Sequence, residues 1–126
     1  ENWSHGNVVL IGDALHTAHF SIGSGTRLAI EDAIALTKAL EAETEIAAGL
    51  ARYQAERKPI VQKLVTAART SADWYEHFPE RMKLDLMDFA YSYITRSGRI
   101  ADARLRAMSP EFMARYEAEK NIGSQA

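Results

Sequence analysis

The chain has 126 residues, 47% hydrophobic and 25% charged, the composition of a small globular domain. Its 15 basic and 17 acidic residues give a net charge of −2 with no basic block, which argues against a nucleic-acid partner; the lack of cysteine excludes disulfides and thiolate chemistry. No apolar run approaches the roughly 20 residues of a bilayer span and no signal peptide is visible, so a cytoplasmic protein with no membrane contact is expected.

Val8 to Ile11 is a continuous apolar run and predicts a short strand buried on both faces, as inside a parallel sheet. A lone strand leaves its backbone groups unpaired. Partners must come from residues near Trp3 or from an N-terminal portion outside this chain. The second source is favoured, because the chain opens at Glu1, without Met, directly before the strand. A loop of small residues follows, and Gly23-Ser24-Gly25 opens a helix predicted over 26–43. Arg27, Glu31, Lys38 and Glu41 form its thin polar stripe, so most of the helix should be buried. Asp32 falls on the apolar side, beside Leu28, Leu36 and Ala39, and needs a partner there; a structural ion pair or a backbone donor is the reading adopted.

A second helix is predicted from Thr44, with Ile46, Leu50 and Tyr53 on one face and a break or kink at Pro59. Ile60, Leu64, Ala67, Ser71, Trp74 and Phe78 continue as a narrow stripe, which Pro79 ends. Asp85 is placed to cap a third helix carrying Leu86, Phe89, Ala90 and Tyr93, with Gly98 as its stop. Ser109-Pro110 begins a last helix using Phe112, Met113 and Tyr116. The fold class expected is mainly α with one short buried strand. Residues 1–43 form the strand–loop–helix region, 44–120 a helical region and 121–126 a flexible tail.

Chemistry concentrates between Gly12 and Arg27. Gly12-Asp13 alone reads as a turn or cap, but an Asp just after a strand sits where open α/β sheets bind ligands, and a carboxylate accepts hydrogen bonds from hydroxyls. Gly23 and Gly25 allow close backbone approach, and the helix behind them presents unpaired N–H groups and a partial positive charge. Asp13, His16 and His19 have the spacing of metal ligands but no fourth ligand, so no metal is assigned. Ser21, His16 and Asp13 do not form a nucleophile-elbow pattern and no catalytic side chain is assigned. Trp74, Tyr75, Phe78, Phe89, Tyr91 and Tyr93 read as core aromatics rather than a ligand pocket.

Gly12-Asp13-Ala14-Leu15-His16, the small-residue loop, Gly23-Ser24-Gly25 and Glu31-Asp32-Ala33 resemble the second FAD-binding motif of flavoprotein aromatic hydroxylases, the para-hydroxybenzoate hydroxylase-like superfamily. Tyr53, Arg57 and Pro59 resemble its Tyr-x-x-x-Arg-x-Pro element. The strings from Ala18 to Thr26 and from Phe89 to Arg99 are similar to the branch acting on coenzyme A thioesters, the salicylyl-CoA 5-hydroxylase and 2-aminobenzoyl-CoA monooxygenase type. The resemblance spans roughly residues 3 to 117. It departs from the wider family at His19 and Phe20, where prolines are usual, and at Arg27, where Asn is common; Arg27 is then either solvated or paired with Glu31.

The resemblance implies the C-terminal fragment of an α/β, Rossmann-like FAD-binding fold, with FAD as cofactor, NADH or NADPH as reductant, and an aromatic or aryl acyl-CoA substrate. Asp13 would hydrogen-bond the FAD ribityl chain, backbone N–H groups near Gly25, Thr26 and Arg27 would face the flavin pyrimidine edge, and His19 and Phe20 would run past the flavin edge near the substrate. The family's N-terminal Gly-x-Gly-x-x-Gly element is absent, so the missing N-terminal half of the FAD site is expected as a partner, and the fragment is expected to be inactive alone. In some members of the branch an old yellow enzyme-like barrel follows. The alternative reading is a non-catalytic helical interaction or dimerisation module, a homo-oligomer joined through the Ile60–Phe78 stripe.

Overall fold

A computed structural model describes residues 2–123, and the side chains of residues 2–121. The chain divides into two compact units, 1–69 and 70–126. In the first unit, β1 (Ser4–His5) pairs antiparallel with β2 (Val8–Val9), Ser4 opposite Val9 and His5 opposite Val8. Short 3-10 turns at Gly12–Ala14 and Phe20–Ile22 lead into α1 (Gly25–Ala42). Helix α2 (Ile46–Glu76) begins in this unit and ends in the second.

The core of the first unit is a cluster of Trp3, Ala39, Tyr53 and Val61, with Val9, Leu15, Leu36 and Val65 packed against it. Trp3 fixes the hairpin to α2 twice: its indole lies 5.4 Å from the Tyr53 ring, and its backbone N–H donates to Gln54 Oε1 at 2.7 Å. Burying a ring of this size contributes about 2–3 kcal/mol. Gly49 lets α2 approach the end of α1: a Cβ there would stand 2.9 Å from Leu40 Cδ2 and 3.1 Å from Leu40 Cα.

In the second unit Trp74 is the hub of an aromatic cluster, with Tyr75, Phe78, Phe89 and Tyr93 at 5.1 to 5.7 Å and Nε1 donating to Ser92 Oγ at 3.2 Å. Helix α3 (Phe78–Arg81) holds Pro79 in its first turn, where a missing N–H costs nothing. Helix α4 (Leu86–Thr95) stops before Gly98, which adopts φ +67°. Helix α5 (Asp102–Met108) packs on α6 (Pro110–Gly123); Leu105 and Met113 are buried, and Arg106 donates two hydrogen bonds to Glu117. Tyr91 leaves the Trp74 cluster and stacks on Tyr116 at 4.3 Å. The core reading of these aromatics therefore holds in full only for Trp74: the six fall into two groups, and Tyr75, Phe78 and Tyr93 are 37%, 40% and 41% exposed.

The structure corrects several expectations. The apolar run is not a strand buried on both faces. Only Val8 and Val9 form the strand, its partner is the segment beside Trp3, and Val8, Leu10 and Ile11 are 63%, 42% and 37% exposed. Four apolar residues favour burial, but among the described residues only Val9 packs against the core, and no second layer covers the other three. Likewise α1 fully buries only Leu28, Asp32 and Ala39, while Ile30 and Ile34 stand about half exposed. Pro59 does not break α2: both it and Ala55, whose carbonyl it leaves without a helical donor, lie on the exposed face, where that carbonyl is open to solvent. Ile60 and Phe78 at the ends of the predicted stripe are exposed, while Leu64, Ala67, Ser71 and Trp74 are buried. Asp85 stands at the N-cap of α4 without a side-chain capping bond. Helix α6 continues through Asn121 to Gly123, and the rest of the predicted flexible tail lies outside the described residues. Among the described residues no helix is long and apolar enough to cross a membrane.

Candidate functional site

The site is built where the hairpin meets the start of α1. Gly12 takes φ +58°, a left-handed conformation that glycine adopts without penalty, and a Cβ on it would stand 3.2 Å from Ala29 Cβ. The turn therefore lies directly on α1. Leu15 and His16 both donate their N–H groups to the Gly12 carbonyl at 2.9 Å, closing a loop that carries Asp13 outward.

Beneath this turn sits Asp32, with no solvent exposure. Its Oδ2 accepts from the Gly12 N–H at 3.0 Å and lies 2.6 Å from His16 Nε2; its Oδ1 accepts from Arg57 Nε at 2.7 Å. A carboxylate only accepts, so His16 carries a proton on Nε2. Arg57 also donates to the Leu28 carbonyl at 3.2 Å and to Glu31 at 2.9 Å. Burial opposes the Arg57 charge, but the hydrogen bonds to Asp32 and Glu31 outweigh it and hold its pKa above the ordinary value. Burial, with the Asp32 charge adding to it, pushes the Tyr53 phenol up to about 12. The ion pair expected for Asp32 is thus present. Sequence reasoning missed that Arg57 and His16 supply it, although both stood inside quoted motifs.

The second half of the site is the loop before α1. His19 Nδ1 accepts from the Ser21 N–H at 3.2 Å, its ring lies 4.4 Å from the Phe20 ring, and Phe20 is 85% exposed. Gly23 closes the turn at φ +59°. Ser24 occupies the N-cap of α1, yet its hydroxyl donates backward to the Ile22 carbonyl at 3.1 Å and makes no capping bond. The first turn of α1 is therefore left uncapped by its own N-cap side chain.

Asp13, Thr17, Phe20, Gly23, Gly25 and Thr26 line one open cavity of about 580 Å³. A Cβ at Gly25 would have nothing within 4 Å. The structure thus brings Asp13, Phe20, Gly25 and Thr26 together. Arg27 does not line the cavity; its side chain is 61% exposed and pairs with Glu31 at 3.1 Å. His19 flanks it through Phe20. His16 turns to Asp32 and Ser21 to His19, so Ser21, His16 and Asp13 form no triad, and among the described residues no group of three or more acidic, His or Cys side chains could hold a metal.

A negative acceptor and the positive end of a helix therefore face one cavity, an arrangement suited to a ligand bearing both hydroxyls and an electron-rich heterocycle edge. Comparison with known proteins points the same way. A family model described as an FAD binding domain matches residues 1–68, just over half of the chain. The chain is 50% identical over 79% of its length to 3-hydroxy-4-methyl-anthranilyl-[aryl-carrier protein] 5-monooxygenase of Streptosporangium sibiricum. It is 44% identical over 76% to salicyloyl-CoA 5-hydroxylase of a Streptomyces species, and 39% over 83% to protodeoxyviolaceinate monooxygenase of Chromobacterium violaceum. It spans 27%, 19% and 26% of the lengths of these three relatives. The chain belongs to the FAD binding domain family.

Proposed function

We propose that this chain is the C-terminal, flavin-contacting part of the FAD-binding domain in a monooxygenase that hydroxylates an aromatic ring with FAD, NADH or NADPH, and O2. The observation that carries this reading is the shared cavity of Asp13 and the uncapped start of α1. The residues fit the cofactor. The Asp13 carboxylate accepts hydrogen bonds from ribityl hydroxyls, Gly25 leaves space where any side chain would intrude, and the first-turn N–H groups favour negative charge at a pyrimidine edge. When bound, FAD supplies the electron transfer and oxygen activation that ring hydroxylation requires. The tasks of this chain are to bind, to orient and, through the exposed Phe20 and its neighbour His19, to exclude water from the flavin edge.

The relatives named for aryl-carrier protein and CoA substrates support a ring presented as an acyl thioester. The remaining Rossmann-like part, with the adenosine site, is assigned to polypeptide beyond these residues. The exposed Val8, Leu10 and Ile11 and the half-exposed Ile30 and Ile34 are the apolar surface it would cover. Purified full-length protein should carry FAD and hydroxylate an aryl thioester with stoichiometric NAD(P)H consumption. Protein that is colourless after loading with FAD, or that oxidises nicotinamide without ever forming a hydroxylated ring, contradicts the reading.

A further inference from the structure

We infer that Asp32 is a positioning residue for Asp13: one buried carboxylate oxygen staples both ends of the turn that holds Asp13 to the cavity. The inference rests on the assignment of Asp13 to FAD made above. The turn runs from Gly12 to His16, and its two ends meet at the same atom. Asp32 Oδ2 accepts from the Gly12 N–H at 3.0 Å and lies 2.6 Å from His16 Nε2. The turn has little other freedom, since the Gly12 carbonyl already holds the Leu15 and His16 N–H groups. Asp13 lies between the staples and lines the cavity.

Two further features make Asp32 a device for alignment. It belongs to α1, the helix whose first residues line the same cavity, so one rigid element fixes both the acceptor and the donor side of the site. Its other oxygen is held by Arg57 Nε at 2.7 Å, which compensates the buried charge and locks the carboxylate plane. A carboxylate meets donors on every side here. An amide cannot: in either orientation Asn at this position aims its NH₂ at a donor, at Arg57 or at the Gly12–His16 pair.

The test is a double-mutant cycle on FAD affinity in the full-length protein, measured by titrating apoprotein and following flavin absorbance and visible circular dichroism. Asp13→Ala and Asp32→Asn should each weaken FAD by about tenfold. In the Asp13→Ala background, Asp32→Asn should add less than about twofold, because the turn it aligns no longer carries an acceptor. If Asp32→Asn does not fold, His16→Ala takes its place; it removes one staple and leaves the Asp32–Arg57 pair intact, and His16→Gln, which keeps an N–H, should restore part of the affinity. A strong Asp13→Ala effect beside a neutral or fully multiplicative Asp32→Asn or His16→Ala effect overturns this inference alone. An inert Asp13→Ala overturns the assignment of Asp13 itself, and this inference with it.

Discussion

Replacing Arg57 with Met lowers stability by about 3–5 kcal/mol, because it strands a buried charge. Asp32 has no solvent exposure and the Arg57 side chain is only 6% exposed, so water cannot screen the pair or take over the lost contact. The neighbours that remain on Asp32, the Gly12 N–H and His16, hydrogen-bond the carboxylate but do not supply a fixed cation. Arg57 also ties α2 to the Leu28 carbonyl and to Glu31, so its loss loosens the contact between the helices. Adding Asp32→Asn to Arg57→Met should recover part of the loss by removing the orphaned charge while keeping an acceptor for Gly12. Urea unfolding of the single and double variants measures both effects. A single variant within about 1 kcal/mol of the parent would mean that the buried pair contributes little.

A Leu at Gly25 gives the opposite pattern: flavin affinity falls by roughly 10- to 100-fold while the fold is untouched. Gly25 starts α1, and a Cβ there meets nothing within 4 Å, so the chain accommodates the side chain. Leu is also a better helix former than Gly. The new side chain instead occupies the cavity that Asp13 and Thr26 share. Equal thermal stability of the two apoproteins, together with weaker FAD binding in a titration, is the expected result. Unchanged affinity would place the flavin elsewhere.

The two variants separate what was legible in the sequence from what was not. Gly23-Ser24-Gly25 marked the start of α1 to within one residue, because glycine and a cap residue interrupt helices for local reasons. Asp32 stood out as a carboxylate on an apolar face, and that mismatch correctly demanded a partner. The partner lies 25 residues away on another helix, a separation that periodicity does not encode. The run Val8 to Ile11 was misjudged because an apolar string states a preference for burial and not which element satisfies it. Pro59 was misjudged because its effect depends on which face of α2 it occupies. Helix α5 was not anticipated at all, since its single buried anchor, Leu105, makes no periodic stripe. Only the resemblance singled out Phe20; its exposure and its tilted ring contact with His19 emerge from the fold.

The most direct measurement is a structure of the full-length protein loaded with FAD. The account predicts the Asp13 carboxylate within hydrogen-bonding distance of a ribityl hydroxyl, and the N–H groups of Gly25, Thr26 and Arg27 facing the pyrimidine edge of the same flavin. An isoalloxazine ring bound away from the start of α1, with Asp13 left in solvent, would contradict it.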